Sequence, residues 1–188
     1  MKQVFILLLA VWIAVPAVHA FDNKKKDVKD SASSDTAAKI NWMTLDEVQV
    51  AMRKQPKKVY VDLYTHWCGW CKVMDKKTFS NRHVIDYMNE HFYAVKLDAE
   101  QKDSIRFLGK MYGFVPEQRA NQFAVELVRG QMSYPTSIFM EENFQNPQPV
   151  PGYLDVSQIE MILRYFGGNL HRSEPFDVYQ QNFKGTWE

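Results

Sequence analysis

Cys68 and Cys71, separated by Gly69 and Trp70, are the only cysteines in the chain. Two thiols at this spacing can close a small disulfide ring and reopen it, one sulfur attacking as thiolate and the other resolving the product. A bridge across so short a loop removes little entropy from the unfolded chain, so the pair suits switching better than stapling. The same thiols are also half of a zinc site, to which His66, His83 and His91 could add ligands. No second cysteine pair completes it. The expectation is therefore no metal, the redox-active Cys68–Cys71 pair standing in place of a cofactor.

The elements that must position this pair follow from local patterns. Residues 58–64 are rich in β-branched and aromatic side chains and are bounded by Pro56 and the cysteine motif, which predicts a buried central strand with the dithiol just beyond its carboxyl end. Before it, Thr44-Leu45-Asp46-Glu47 reads as a capping box, and Leu45, Val48 and Met52 recur at helical spacing until Lys54 and Pro56. After Cys71 no breaker occurs until Ser80-Asn81, where Asn81 can cap a second stretch through Val84, Ile85, Tyr87 and Met88. Residues 92–97 give the next strand, parallel to the first across a right-handed crossover. A helix is expected over 120–128 and a hairpin from 136–140 through the polar turn 141–146 to Pro149-Val150. A last helix runs from Asp155 with Ile159, Ile162, Leu163 and Phe166 inward, closed by Gly167-Gly168. Residues 101–116, with Ile105, Phe107, Leu108, Met111, Tyr112, Phe114 and Val115, carry no assignable element.

Composition leaves room for one catalytic domain. The chain has 188 residues, 46% hydrophobic and 14% aromatic, with net charge +1, which argues against disorder and against a nucleic-acid surface. Met1-Lys2-Gln3, the apolar run 4–15, Pro16 and Val18-His19-Ala20 predict a signal peptide over 1–20, cleaved after Ala20. The run is shorter than the roughly 20 residues a membrane span needs, so no stable membrane insertion is expected, and no cysteine near Ala20 offers a lipid anchor. Residues 21–39, with Lys24-Lys25-Lys26 and Ser31, Ser33 and Ser34, read as a flexible leader. The folded domain is expected over 40–170, with 171–188 as a carboxyl-terminal extension. Export to the periplasm or beyond the cell allows disulfides to persist.

The β-α-β, α, β-β, α order resembles thioredoxin from about Trp42 to Phe166. Four places carry the resemblance: Asp62, six residues before Cys68; Trp67-Cys68-Gly69-x-Cys71-Lys72; Tyr134-Pro135-Thr136; and Gly152. Through His66-Trp67-Cys68-Gly69-Trp70-Cys71-Lys72 and Phe79-Ser80-Asn81 the chain is similar to exported thioredoxin-like proteins related to periplasmic reducing domains. The resemblance implies an α/β thioredoxin fold, a central mixed β-sheet flanked by helices, with an insertion before a cis-Pro135 loop. It departs at Trp70, where classical thioredoxin has proline.

On this reading Cys68, at a helix amino end, is the attacking thiol and Cys71 the resolving one. Asp62, in an apolar strand, is a candidate proton acceptor for Cys71, its pKa raised by burial. The resemblance implies that Lys96 modulates this acid, and that Tyr134 offers backbone beside Pro135 to an extended substrate. Trp67, Gly69 and Trp70 complete the expected substrate-contacting set, with Trp70 exposed, and protonated His66 could favour the thiolate. Protein thiols and disulfides are the expected partners, with an upstream thiol donor of electrons, and the reductive or isomerising direction is preferred over net oxidation. A non-catalytic binding module on the same fold is the other class of function.

Overall fold

The computed structural model describes residues 39–187. The expected signal peptide and the leader up to residue 38 lie outside the described residues.

Strands β1 (Trp42–Met43), β2 (Lys58–Tyr64), β3 (Phe92–Asp98), β8 (Thr136–Met140) and β9 (Gln148–Pro151) form one mixed sheet in the order β1-β3-β2-β8-β9. β2 and β3 are parallel, while β8 pairs antiparallel with both β2 and β9. Helices α1 (Leu45–Lys54) and α4 (Gln122–Leu127) share an apolar cluster with one face of the sheet; α2 (Gly69–Lys77), α3 (Arg82–His91) and α5 (Val156–Gly167) share a second cluster with the other. This is the expected thioredoxin fold.

The alternation of β2 sorts its side chains between the clusters. Val59, Val61 and Leu63 join Val48, Met52, Phe123 and Leu127. Tyr60 joins Met74, Val84, Met88 and Ile159. The helix starts are satisfied locally: Thr44 and Glu47 complete the capping box of α1, and the Asn81 side chain accepts from the amides of His83 and Val84 at the start of α3.

Two regions depart from the sequence reading. Residues 120–128 do not form one helix: β7 (Ala120–Asn121) comes first, and Asn121, fully buried, caps α4 through Phe123 N. Its amide group donates to the carbonyls of Asp103 and Tyr112, so this side chain ties the preceding segment down. The unassigned stretch forms hairpin β4 (Ile105–Phe107) with β5 (Lys110–Tyr112), and β6 (Phe114–Val115) pairs with β7. Leu108 and Gly109 both have positive φ, as a two-residue primed turn requires. Leu-Gly is a weak signal for such a turn, which is why the hairpin was not evident.

The carboxyl-terminal segment packs on α5. Beyond α6 (Phe176–Asn182), Glu160 of α5, fully buried, accepts hydrogen bonds from the amides of Thr186 and Trp187, the Thr186 hydroxyl and Arg164. Burial opposes its ionisation, but these donors outweigh burial and hold the carboxyl below its ordinary range. Glu160→Ala should therefore release the tail: hydrogen exchange at the Thr186 and Trp187 amides should lose its protection, and urea unfolding should show a loss of about 3 kcal/mol.

Candidate functional site

The site begins where β2 ends. Three residues of loop lead from Tyr64 to Cys68, whose amide donates to Thr65 O at 3.1 Å and whose own position is the N-cap of α2. Cys68 Sγ accepts from the Cys71 amide at 3.0 Å, so a free N–H of the first helical turn points at this sulfur. Such a donor, with the positive end of the helix, favours negative charge on Cys68 once the bond is reduced. Cys68 and Cys71 are disulfide-bonded, with Cα atoms 5.4 Å apart.

An attacking thiol is expected to be the more accessible of the pair, and the bonded form does not show this. In this bonded form Cys68 and Cys71 are only 3% and 4% exposed, so the outer sulfur is no more open than the inner one. The surface belongs instead to Trp67 and Trp70, at 64% and 62%. Trp67 packs edge-on against Tyr134 at 5.6 Å and donates from Nε1 to Glu100 at 3.0 Å. Trp70 lies 5.3 Å from Tyr153. Together Trp70, Tyr134, Pro135, Gly152 and Tyr153 line a shallow cavity of about 240 Å³. The Tyr134–Pro135 peptide bond is cis, and the Gly152 amide donates to Pro135 O at 2.8 Å. Gly152 has φ +98°, a conformation that any side chain would strain. At Gly69 an added Cβ would meet nothing within 4 Å, so the approach beside the disulfide is open.

Behind the disulfide lies an ion cluster. Asp62 shares the parity of Tyr60 on β2 and is 2% exposed, while Lys96 is its register partner on β3. Lys96 Nζ donates to Asp62 Oδ2 at 3.1 Å and also to Asp75, which stands one helical turn after Cys71 on α2. The ammonium lies 5.1, 5.2 and 5.7 Å from the ring centres of Trp42, Tyr64 and Phe79. Burial raises the Asp62 pKa to about 6, with Lys96 opposing and Asp75 adding to the rise. Burial would lower Lys96, but the two carboxylates outweigh it and hold its pKa above the ordinary lysine value. Lys96 is therefore not a solvated surface lysine.

Asp75, Glu100 and Tyr153 join the site without having been identified from the sequence. Only the four-residue spacing of Asp75 from Cys71 could have signalled it; the other two depend on loops meeting across the fold. His66 is exposed and pairs with Asp98 at 3.2 Å rather than with a sulfur. The other histidines weighed for zinc are dispersed: His83 stacks with Trp187 and His91 with Tyr87. Among the described residues no group of three or more His, Cys, Asp or Glu is placed to hold a metal ion.

The Asp62 shift has a signed consequence. Its folded pKa of about 6 lies above the ordinary 3.8, so folding favours the protonated acid; that contribution is complete below pH 3.8 and is lost as pH rises through 6. At pH 8 the buried carboxylate costs about 3 kcal/mol relative to its protonated form. Oxidised Asp62→Asn should therefore be more stable than the parent by up to that amount at pH 8 and nearly equal to it at pH 4, as read from urea unfolding at the two pH values.

The family whose model matches residues 31–161 is described as Thioredox_DsbH, a protein of unknown function, DUF255. The thiol:disulfide interchange protein DsbD of Pseudomonas sp. (strain JR1 / K1) is 26% identical over 124 residues, covering 55% of this chain and 21% of that protein. A thioredoxin-fold protein from Helicobacter pylori superposes with TM-score 0.54 at 16% identity, over 66% of this chain and 83% of that one. A structure described as DsbH oxidoreductase gives TM-score 0.51 at 16% identity, over 72% and 90%. The alignments span only 7% to 21% of the length of the curated relatives. The two structures share the fold, and the family match together with the bonded Cys68–Cys71 pair supports thiol–disulfide redox chemistry. With a match over well more than half of its length, the chain belongs to the Thioredox_DsbH family, DUF255, within the thioredoxin-like superfamily.

Proposed function

We propose that this chain is an exported thiol–disulfide oxidoreductase that reduces or isomerises disulfides in client proteins through Cys68 and Cys71. The observation that carries the reading is a bonded cysteine pair at the amino end of α2, flanked in sequence by the exposed rings of Trp67 and Trp70, on a helix joined through Asp75 and Lys96 to the buried acid Asp62.

In the reduced protein, Cys68 thiolate attacks one sulfur of a client disulfide, forming a mixed disulfide and expelling the other client sulfur as thiolate. Cys71, giving its proton to Asp62, then attacks Cys68 Sγ. The client leaves with two thiols and two electrons, and the Cys68–Cys71 bond is restored. An upstream thiol donor reverses the last step to reload the enzyme, and no further cofactor is required. Lys96 tunes Asp62, while Trp67, Trp70 and the Tyr134 backbone beside Pro135 receive the client chain across the open face at Gly69. The basic and apolar start of the sequence supports export, with cleavage near Ala20, to the periplasm or the exterior, where such clients occur.

The near-complete cover over both sulfurs favours one competing reading, a binding module in which the bridge is inert. Chemistry separates the two. After reduction, Cys68 should be alkylated at pH 7 about tenfold or more faster than Cys71, and equal inertness of both sulfurs would leave the binding module standing. Cys71→Ala should accumulate covalent complexes with client proteins that dissolve on adding dithiothreitol, whereas Cys68→Ser should form none. The direction is checked by equilibration with glutathione. A potential between about −180 and −270 mV fits reduction or isomerisation; one near about −120 mV would make the protein a net oxidant.

A further inference from the structure

A second cavity, of about 490 Å³, lies at the opposite end of the sheet from the dithiol. Lys58, the first residue of β2, lines it, whereas the cysteine motif follows the last residue of that strand. Seven residues at about 3.3 Å each put roughly 20 Å between the two ends. Phe139, Ile162, Phe166 and Phe176 supply apolar walls, and the polar groups gather around Lys58, Glu141 and His171. Size and lining are those of a site for a small organic molecule.

The polar end is built but incomplete. Lys58 is 5% exposed, and its ammonium donates to Glu142 at 3.1 Å and to Asn169 at 2.6 Å, engaging two of three N–H bonds. His171 Nδ1 lies 3.4 Å from the Tyr165 carbonyl, a contact that requires the proton on Nδ1. Nε2 is then an acceptor in neutral His171; it is buried, has no hydrogen-bond partner in the protein, and lies 3.6 Å from Glu141 Oε1, itself an acceptor. The Asn146 side chain, followed by Arg172, holds Glu141 below the ordinary carboxylate range, so this oxygen is ionised. Asn146, which lines the cavity, and Asn169, which accepts from Lys58, both hold backbone in the left-handed region. Arg172 pins the turn through Glu141 and Glu142, both at 2.8 Å.

We propose that this cavity binds a small phenol or aromatic alcohol, its ring among Phe139, Phe166 and Phe176 and its hydroxyl at the Lys58–His171–Glu141 end. A hydroxyl can donate to the adjacent acceptors and accept from the remaining Lys58 N–H. A carboxylate head has no proton to donate and would face Glu141, while an ammonium head has no lone pair for Lys58. The inference concerns a site separate from the dithiol and stands independently of the redox reading.

The test is a titration of the full chain with 4-ethylphenol, 4-ethylanisole and phenylacetate, followed by isotope-edited NMR. The phenol should give saturable shifts at Ile162, Tyr165, Phe166 and His171, and bind at least about tenfold tighter than the ether or the acid. His171→Phe should shrink the preference of phenol over ether to about twofold or less. Absence of saturable phenol binding, equal affinity for the ether or the acid, shifts confined to Trp67, Trp70 and Tyr153, or an undiminished preference in a folded His171→Phe variant would each overturn the assignment. If that variant does not fold, the three-ligand comparison on the parent chain decides.

Discussion

A carboxyl group on the interior of β2 is tolerable only because one ammonium reaches it. Asp62 is nearly without solvent, and burial disfavours its charged form. The Lys96 contact at 3.1 Å pulls it back to a pKa of about 6, within reach of physiological pH. Lys96 in turn cannot be solvated freely, since it is shared with Asp75 and surrounded by Trp42, Tyr64 and Phe79. Helix α2, strand β2 and strand β3 are thereby joined at one charge. An acid poised to change state at neutral pH, behind a thiol that must lose a proton, is what thiol–disulfide exchange needs.

The covering of the disulfide and the reactivity asked of it are compatible through the helix end. Nucleophilicity at Cys68 depends on the Cys71 amide and on the field of α2, which are fixed by backbone, not on contact with bulk water. Trp67 and Trp70 present exposed apolar surface beside the disulfide, which the proposed reaction would offer to a client. At Gly69 an added Cβ would meet nothing within 4 Å beyond its chain neighbours. Under the proposed function, covering would select among partners without forbidding approach.

Much of this was legible in the sequence where a local pattern matched a global one. The capping box at Thr44, the Asn81 cap and Asp155 at the head of the last helix marked helix starts that the structure keeps. The apolar run from Lys58 to Tyr64 marked the central strand because both faces of that strand are covered. The insertion was opaque because its strands are two or three residues long, too short for an alternation to declare itself, and its turn is Leu-Gly. Lys96 was recognised only through the family resemblance, since three rings from separate elements surround it and none is near it in sequence. Asp75 and Glu160 were missed for the same reason. A buried charge looks like a surface charge in sequence until the partners that justify it are brought together by the fold.

The alternation along β2 explains how one strand can serve both ends of the sheet. Its odd-numbered residues, Val59, Val61 and Leu63, are wholly apolar and pack with α1 and α4. Its even-numbered residues are Lys58, Tyr60, Asp62 and Tyr64, all turned by the pleat to the side of α2, α3 and α5. Lys58 lines the cavity bounded by Phe139 and Phe166, Tyr60 bonds to Ser137 at 2.7 Å, Asp62 holds Lys96, and Tyr64 lies 5.2 Å from the same ammonium. One face of the strand is wholly apolar, and the other sets its polar side chains among a second apolar cluster. A slip of one residue in register would exchange the faces, placing Lys58 and Asp62 in the α1 and α4 cluster without partners and taking Asp62 away from Lys96. The antiparallel register of β2 with β8 opposes such a slip, since it aligns Asp62 with Ser137 and Leu63 with Thr136 beside Pro135. The register that buries the core is thus also the one that brings the Tyr134–Pro135 loop beside the cysteine motif.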